Sequence, residues 1–463
     1  MPDIVSPVDG RVAYRFESLD LPAALEKLAA AERVQATWRD SALDERIAVC
    51  RGMLEAYRSR LDHNAEEITR MMGKPLGQAR GEFERTMVER TEHLCTVAGR
   101  ALADVALPEK PGFRRFIRRE PVGVVLDIAA WNYPLVIAIN VIVPAVLAGN
   151  TVLVKHASQT ALVADQLERA FREAGAPEGL VQAFPVNHET AASILASRRI
   201  GYVSFTGSVR GGHEVYRAVA RDNFVGVGLE LGGKDPALVL PDANFEFTVE
   251  NLVDGAFYNA GQSCCAIERI YVHEALYDRF VEAFAELTKK YRVGNPLDAD
   301  TTLGPLVDAK AVEHVRAQIA DARAHGARVV VDESSFDVPD LSPCYMGPVV
   351  LADVNHDMAV MREETFGPAI GIMKVGHEEE ALRLMNDSEY GLTASLWTTD
   401  PERGAKLAER VDAGTVYLNR CDYLDPALAW TGVKDSGVGC SLSDLGFLQV
   451  TRPKSFHLRT STK

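Results

Sequence analysis

The spacing of apolar residues changes twice along the chain, and each change marks a new kind of structure. Residues 6–15 alternate like an edge strand, and residues 21–37, 44–59 and 64–72 then carry apolar positions at helical spacing with charged outer faces. Gly73-Lys74-Pro75 stops the third helix, and another amphipathic helix follows over about 77–99. Beyond residue 122 short apolar runs alternate with helical stretches: strands at 122–128, 151–155, 181–185 and 202–206, helices at 135–147, 161–174 and 188–196. Strands apolar on both faces and joined by helices predict parallel βαβ units in a doubly wound sheet. Such a sheet gathers ligands at the carboxyl ends of its strands, and Asn132, Lys155 and Gly207 each stand just past one. A second block begins after Gly233, with strands at 236–240, 268–273, 328–331, 366–375, 392–398 and 415–419 and helices at 245–258, 276–291, 309–325, 378–385 and 401–411. The pattern predicts an α/β fold of two such lobes with substrate between them.

Composition narrows the class of partner. With 463 residues, 47% hydrophobic and 25% charged, the chain is globular and too long for one ordinary core. A net charge of −15 disfavours nucleic acid and anionic membrane surfaces, which leaves a small molecule as the expected partner. The longest apolar run, residues 135–147, is shorter than the ~20 residues of a spanning helix and is interrupted by Asn140 and Pro144. Seven cysteines form no C-x-x-C pair and no Cys/His metal spacing, and there is no signal peptide. This predicts a reducing, cytoplasmic setting without disulfides or a structural metal.

Candidate chemistry concentrates in Asn259-Ala260-Gly261-Gln262-Ser263-Cys264-Cys265-Ala266, where two cysteines follow a Gly-Gln pair between a helical pattern and a strand. Free cysteine is usually a small buried hydrophobe, and it attacks carbonyl carbon only as thiolate. The nucleophile reading gains from Glu230-Leu231-Gly232-Gly233-Lys234, a carboxylate at the end of an apolar strand ahead of a Gly-Gly turn. Further blocks are Trp131-Asn132-Tyr133-Pro134, Lys155, Phe205-Thr206-Gly207-Ser208, Glu364-Thr365-Phe366-Gly367-Pro368 and Gly414-Thr415-Val416-Tyr417-Leu418-Asn419. In this order, from Pro121 to Gly439, they resemble the aldehyde dehydrogenase family. No G-x-G-x-x-G is present; Gly207-Ser208-Val209-Arg210-Gly211-Gly212 instead follows a strand and opens a helix, where N–H groups can meet a pyrophosphate.

The resemblance implies oxidation of an aldehyde to its acid, with hydrolysis of a thioester. Cys264 would form the thiohemiacetal and then the thioester, Asn132 and the Cys264 N–H would stabilise the oxyanion, and Glu230 would activate water if an apolar pocket raises its pKa. Trp131, Lys155, Ser158, Gly207, Ser208, Gly212, Glu364 and Phe366 would hold the cofactor: Lys155 at the adenosine ribose, Ser208 at the diphosphate, Glu364 and Phe366 at the nicotinamide ribose. Strict NAD users in the family often carry glutamate where this chain has Ser158, so both NAD and NADP are expected to serve. The dinucleotide-binding domain would comprise residues 1–99 and 122–232, the catalytic domain 233–440, and an oligomerisation arm 100–121 and 441–463. Its strands 113–121 and 451–458 would pair with a neighbouring subunit in a homodimer or homotetramer. Two departures stand out: Val141 replaces a lysine whose proton-relay role cannot be transferred, and Ala130 replaces the usual proline before the Trp-Asn pair.

For the substrate the resemblance implies a channel of Tyr133, Asn140, Tyr258, Ser263, Cys265, Tyr423, Leu424 and Trp430. Half of these are aromatic against 7% of the chain, which favours a medium or bulky apolar or aromatic aldehyde. Arg420, close to Tyr423, could instead greet a carboxylate and keeps semialdehydes in play. Glu230 argues against transfer of the thioester to coenzyme A, and the joint retention of Cys264, Asn132, Glu230 and Glu364 argues against a binding protein with dead chemistry.

Overall fold

Two α/β sheets form the body of the computed structural model, which describes residues 3–461. The first has the strand order Gly437–Val438, Gly226–Glu230, Tyr202–Thr206, Val124–Ala129, Thr151–His156, Val181–Ala183. All its pairings are parallel except the edge pairing of Gly437–Val438. From Val124–Ala129 the chain first builds outward through Thr151–His156 and then returns to Tyr202–Thr206 on the other side. The switch point lies between Val124–Ala129 and Tyr202–Thr206, the strands that lead into Asn132 and Gly207. Helix Pro134–Leu147 is buried at every residue, because it lies between this sheet and helices Leu43–Arg58 and Val88–Ala101. That position explains its unbroken apolar sequence.

The second sheet has the order Arg328–Val331, Val349–Ala352, Ala369–Val375, Ile267–His273, Asp235–Val239, Thr393–Trp397, Thr415–Leu418, parallel except at the Arg328–Val331 edge. Only Leu231 to Lys234 separate the carboxyl end of Gly226–Glu230 from the amino end of Asp235–Val239. The two sheets therefore meet with carboxyl ends of the first near amino ends of the second. A third, antiparallel sheet joins Thr451–Arg459, Phe113–Pro121 and Val105–Ala106, with Phe116 stacked on Phe456 at 4.5 Å.

Several expected elements differ. Residues 6–15 are not one strand: Asp3–Val5 and Val12–Arg15 form a hairpin, because the Ser6 carbonyl accepts from the Gly10 N–H and Gly10 has φ 70°. The helix expected over 77–99 is α-helical over Leu76–Gly81 and Val88–Ala101 with a π-helical turn, Glu82–Met87, between them. The strand expected from Phe366 begins at Ala369, since Phe366 itself has φ 48°. Strand Val349–Ala352 and the two-residue strand Gly437–Val438 were not anticipated. The latter carries part of the 233–440 segment back into the first sheet. Residues 1, 2, 462 and 463 of the expected boundaries lie outside the described residues.

Candidate active site

A strained turn delivers the nucleophile candidate. Helix Phe245–Phe257 ends, and Asn259, Ala260 and Gly261 follow with φ 53°, 57° and 71°. For Ala260 this left-handed conformation costs roughly 1–2 kcal/mol. At Gly261 a Cβ would clash with the backbone oxygen of Gly367, so only glycine fits. Cys264 stands after this turn and before strand Ile267–His273, partly exposed to a cavity of about 310 Å³. Asn132 lines the same cavity; its Nδ2 donates to the Gln262 carbonyl at 3.2 Å, and its own carbonyl accepts from Asn259 Nδ2 at 3.2 Å.

Cys265 also lines this cavity, but its thiol is engaged. Its Sγ donates to Asp422 Oδ1 at 3.1 Å, beside the Ser263 hydroxyl at 3.2 Å, and the adjoining Cys264 together with burial pushes its pKa well up. Asp422 sits at the cavity wall with its carboxyl raised to about 7 by burial, against the hydrogen bonds from Cys265 and Ser263.

Glu230 reaches the cavity from the end of strand Gly226–Glu230 and accepts from the Ser441 hydroxyl at 2.5 Å. Burial holds its carboxyl above the usual range, opposed by Ser441, Arg90 and Trp430. That is the environment a general base needs at neutral pH. Arg90 is itself buried, with Nη1 donating to Asn140 at 3.0 Å.

Of the residues expected at the cofactor, Lys155, Gly207 and Ser208 stand just past carboxyl ends of the first sheet, whereas Glu364 and Phe366 precede strand Ala369–Val375 of the second. Lys155 is 9% exposed and has no ion pair among the described residues, and burial lowers its pKa. Ser158 is exposed three residues on, its carbonyl accepting from the Tyr14 hydroxyl. Ser208 caps helix Val209–Asp222, accepting from the Gly211 N–H at 3.2 Å, while Gly212 packs on Leu231, where a Cβ would meet Leu231 at 2.8 Å. Gly207 lies against the Phe205 ring. Trp131 and Phe366 meet edge to face at 5.6 Å, and Glu364 Oε1 accepts from the Gly233 N–H at 3.0 Å. A buried lysine with no ion pair among the described residues, and the N-terminus of a 14-residue helix, both beyond carboxyl ends of the same sheet, fit an anionic dinucleotide.

All eight expected channel residues line the cavity, but Arg420 does not. Its guanidinium stacks 3.6 Å above the Tyr423 ring and is exposed, which corrects the expectation that it greets substrate. The cations that do line the cavity are Arg85 and Arg90, which sequence reading passed over as the outer face of a helix. Also missed were Asp422 and two buried ion pairs, Lys74 with Glu82 at 2.6 Å and Lys234 with Glu268 at 2.7 Å. Charged residues at helical spacing look like a solvated face, so only the position of Lys74 in a Gly-Lys-Pro helix stop hinted otherwise. All seven cysteines are free. Among the described residues no group of three or more His, Cys, Asp or Glu side chains is placed to hold a metal, and no helix is long and apolar enough to cross a membrane.

A nucleophile, an amide donor and a raised carboxyl around one cavity agree with what the comparisons find. The chain is 34% identical to an NADP+ succinate-semialdehyde dehydrogenase of Deinococcus radiodurans, over 97% of this chain and 93% of that protein. It is 35% identical to a succinate semialdehyde dehydrogenase of Escherichia coli that is named for NAD(P)+, over 92% and 90%. The structure of succinic semialdehyde dehydrogenase from Streptococcus pyogenes in complex with NADP+ superposes with a TM-score of 0.94 at 30% identity, covering 99% of both chains. The family model described as "Aldehyde dehydrogenase family" matches residues 2–456, nearly the whole described chain, and the chain belongs to that family.

Proposed function

We propose that this aldehyde dehydrogenase oxidises a semialdehyde, an aldehyde with a distal carboxylate, to the dicarboxylic acid with NAD or NADP. The observation that carries the substrate reading is Arg85. It lines the cavity that holds Cys264, and its guanidinium has no hydrogen bond or ion pair among the described residues. Four of the cavity's acids are engaged, Glu82 by Lys74, Glu89 by the Tyr423 hydroxyl, Glu230 by Ser441 and Asp422 by Ser263 and Cys265, while Asp254 makes no hydrogen bond with Arg85 and only feels its charge. A free guanidinium at the exposed end of such a cavity suits a carboxylate bound by two parallel N–H donors. The relatives named as succinate-semialdehyde dehydrogenases support the same class.

In this mechanism Cys264 attacks the aldehyde carbon as thiolate, and the Asn132 amide with the Cys264 N–H receives the oxyanion. The cofactor, when bound, accepts the hydride; Lys155, Ser158, Ser208, Gly207, Gly212, Trp131, Glu364 and Phe366 are the residues that would hold it. Glu230 then takes a proton from water as that water's oxygen attacks the thioester carbonyl, and the C–S bond breaks to release the acid. Residues 1–99 with 122–232 would form the dinucleotide-binding domain, which also brings Asn132 and Glu230, and 233–440, apart from Gly437–Val438, the catalytic domain that brings Cys264 together with Glu364 and Phe366. The sheet edge at Thr451–Arg459 supports assembly into a homo-oligomer.

Rates with succinate semialdehyde, hexanal and benzaldehyde test the reading. Arg85→Gln should cost the semialdehyde about tenfold in kcat/KM, the low end for a charge-assisted pair at an exposed site, and change hexanal less than twofold. A parent preference for hexanal or benzaldehyde would return the aromatic lining, Tyr133, Tyr258, Tyr423 and Trp430, to the leading role.

A further inference from the structure

We propose that Lys74 and Glu82 are positioning residues for the oxyanion site, acting on Asn132 through the amino terminus of helix Pro134–Leu147. The inference rests on the reading of Asn132 as the oxyanion donor. The first N–H groups of a helix have no partner within it and must be satisfied from outside. Here Pro134 at the first position has no N–H, and Tyr133 supplies no side-chain cap. The N–H groups of Leu135 and Val136 instead donate to Glu82 Oε1 at 2.8 and 3.2 Å. Glu82 comes from a different part of the chain, at the start of the π-helical turn; such turns recur at functional sites.

Its other oxygen, Oε2, accepts from Lys74 Nζ at 2.6 Å, and the two side chains are 0% and 2% exposed. Lys74 Nζ also stands 4.0 Å from the centroid of the Tyr133 ring, over its face. It reaches this position because Gly73 closes helix Leu61–Met72 at φ 85°, where a Cβ would lie 2.7 Å from the Pro305 carbonyl oxygen. Residues 133–136 are thus gripped by one ion pair, while Asn132, immediately before them, is held on its other side by Asn259 and Gln262. Asn132 has little freedom left, as a preorganised donor requires.

Stability alone does not account for the pair. Burying two charges costs desolvation that their attraction often fails to return, and an apolar pair of similar volume is commonly as stable. A carboxylate at a helix N-terminus, by contrast, fixes a backbone position and direction together.

The test uses the full-length enzyme and kcat per active site, titrated by the burst of reduced cofactor. Glu82→Gln places an amide NH2 against the Lys74 ammonium, and should lower kcat per site at least tenfold while the cofactor KM moves less than twofold. Amide exchange in the peptide spanning residues 133–136 should quicken about tenfold. The double variant Lys74→Met/Glu82→Gln keeps an oxygen on the two N–H groups without opposed donors, and should recover kcat to within about threefold of the parent. Asn132→Ala should cost about 10² to 10³ in kcat. Adding Glu82→Gln to it should cost less than a further twofold, since both act through one donor. Parent-like kcat per site in Glu82→Gln, or full additivity with Asn132→Ala, overturns the proposal; parent-like kcat in Asn132→Ala overturns the donor reading beneath it. If Glu82→Gln fails to fold, Lys74→Met takes its place, and unchanged kcat and exchange there count against the proposal.

Discussion

The two buried lysine–glutamate pairs invite comparison, because each holds the segment behind a different half of the chemistry. In the first, Glu82 accepts from Leu135 and Val136 N–H and so backs Asn132. In the second, Glu268 accepts from the N–H groups of Thr365, at 2.8 Å, and Phe366, at 2.9 Å, and so backs Glu364 and the Phe366 ring. The lysines differ in what else they touch: Lys74 faces an aromatic ring, whereas Lys234 also donates to Thr365 Oγ1 at 2.8 Å. The carboxylates differ more. Glu82 meets the end of a 14-residue helix whose peptide dipoles add to its hold, while Glu268 meets a loop with no such axis. On the proposed mechanism one device would serve two tasks, a rigid donor on the aldehyde side and an ordered loop on the cofactor side.

Removing a lysine breaks this comparison hardest. Lys74→Met and Lys234→Met each leave a buried carboxylate without its cation, and each should cost about 3–5 kcal/mol of stability, read as a lower denaturant midpoint. In both cases the matching double variant with Glu→Gln should regain most of the loss. Function should then separate the pairs. Lys234→Met should raise the cofactor Kd about tenfold and leave kcat at saturation within threefold, with the reverse pattern for Lys74→Met. Equal effects on both parameters from both variants would mean that the pairs only stabilise the fold.

Little of this was legible in the sequence, although the frame was. Parallel βαβ units announce themselves because strands buried on both faces read as continuous apolar runs, and Tyr202–Thr206 falls where those runs place it. Cys264, Glu230 and Asn132 stand at element ends, where short motifs carry the information. Lys74, Glu82 and Glu268 also stand near element ends but carry no such motif, because one charged residue looks the same whether its partner is water or another chain segment. Glu268 is the second residue of strand Ile267–His273, whose neighbours bury it to 4% exposure, a fact of tertiary packing. Arg420 misled for the converse reason: proximity to Tyr423 in sequence became a stacking contact rather than a shared cavity.

A smaller effect concerns pH and belongs to the second pair alone. Burial, and then the neighbouring Glu268, push Glu364 up to about 8. From the ordinary carboxyl value of 4.5 up to about 8 the folded chain holds a proton there that the unfolded chain has lost, so this group's contribution to stability falls as pH rises through that window. Cofactor binding should move oppositely, because an ionised carboxylate is the stronger acceptor for ribose hydroxyls. The Kd for NAD, measured by fluorescence, should tighten severalfold from pH 7 to 9 in the parent and stay flat in Glu364→Gln. Lys74 belongs to the other pair and touches neither Glu364 nor Glu268, so Lys74→Met should leave that slope intact.

The smallest effect sharpens the comparison by its exception. Lys155 is a third buried lysine, yet no carboxylate pairs with it among the described residues, and burial alone lowers its pKa. A cation left without a counter-ion in a protein interior is stable only if it is lightly buried or if a ligand supplies the charge. Ser158, exposed three residues on, is the natural place for a partner, and serine supplies none. Ser158→Glu would give Lys155 the carboxylate that Lys74 and Lys234 already have, and would set a negative charge where a 2′-phosphate must come. At an effective dielectric constant near 20 that repulsion is on the order of 1 to 4 kcal/mol at close range, reduced by screening at this exposed position. The ratio of kcat/KM for NADP to that for NAD should therefore fall by about five- to tenfold, mainly through the NADP KM. An unchanged ratio would mean that the adenosine ribose lies away from Lys155, and that its missing partner has another explanation.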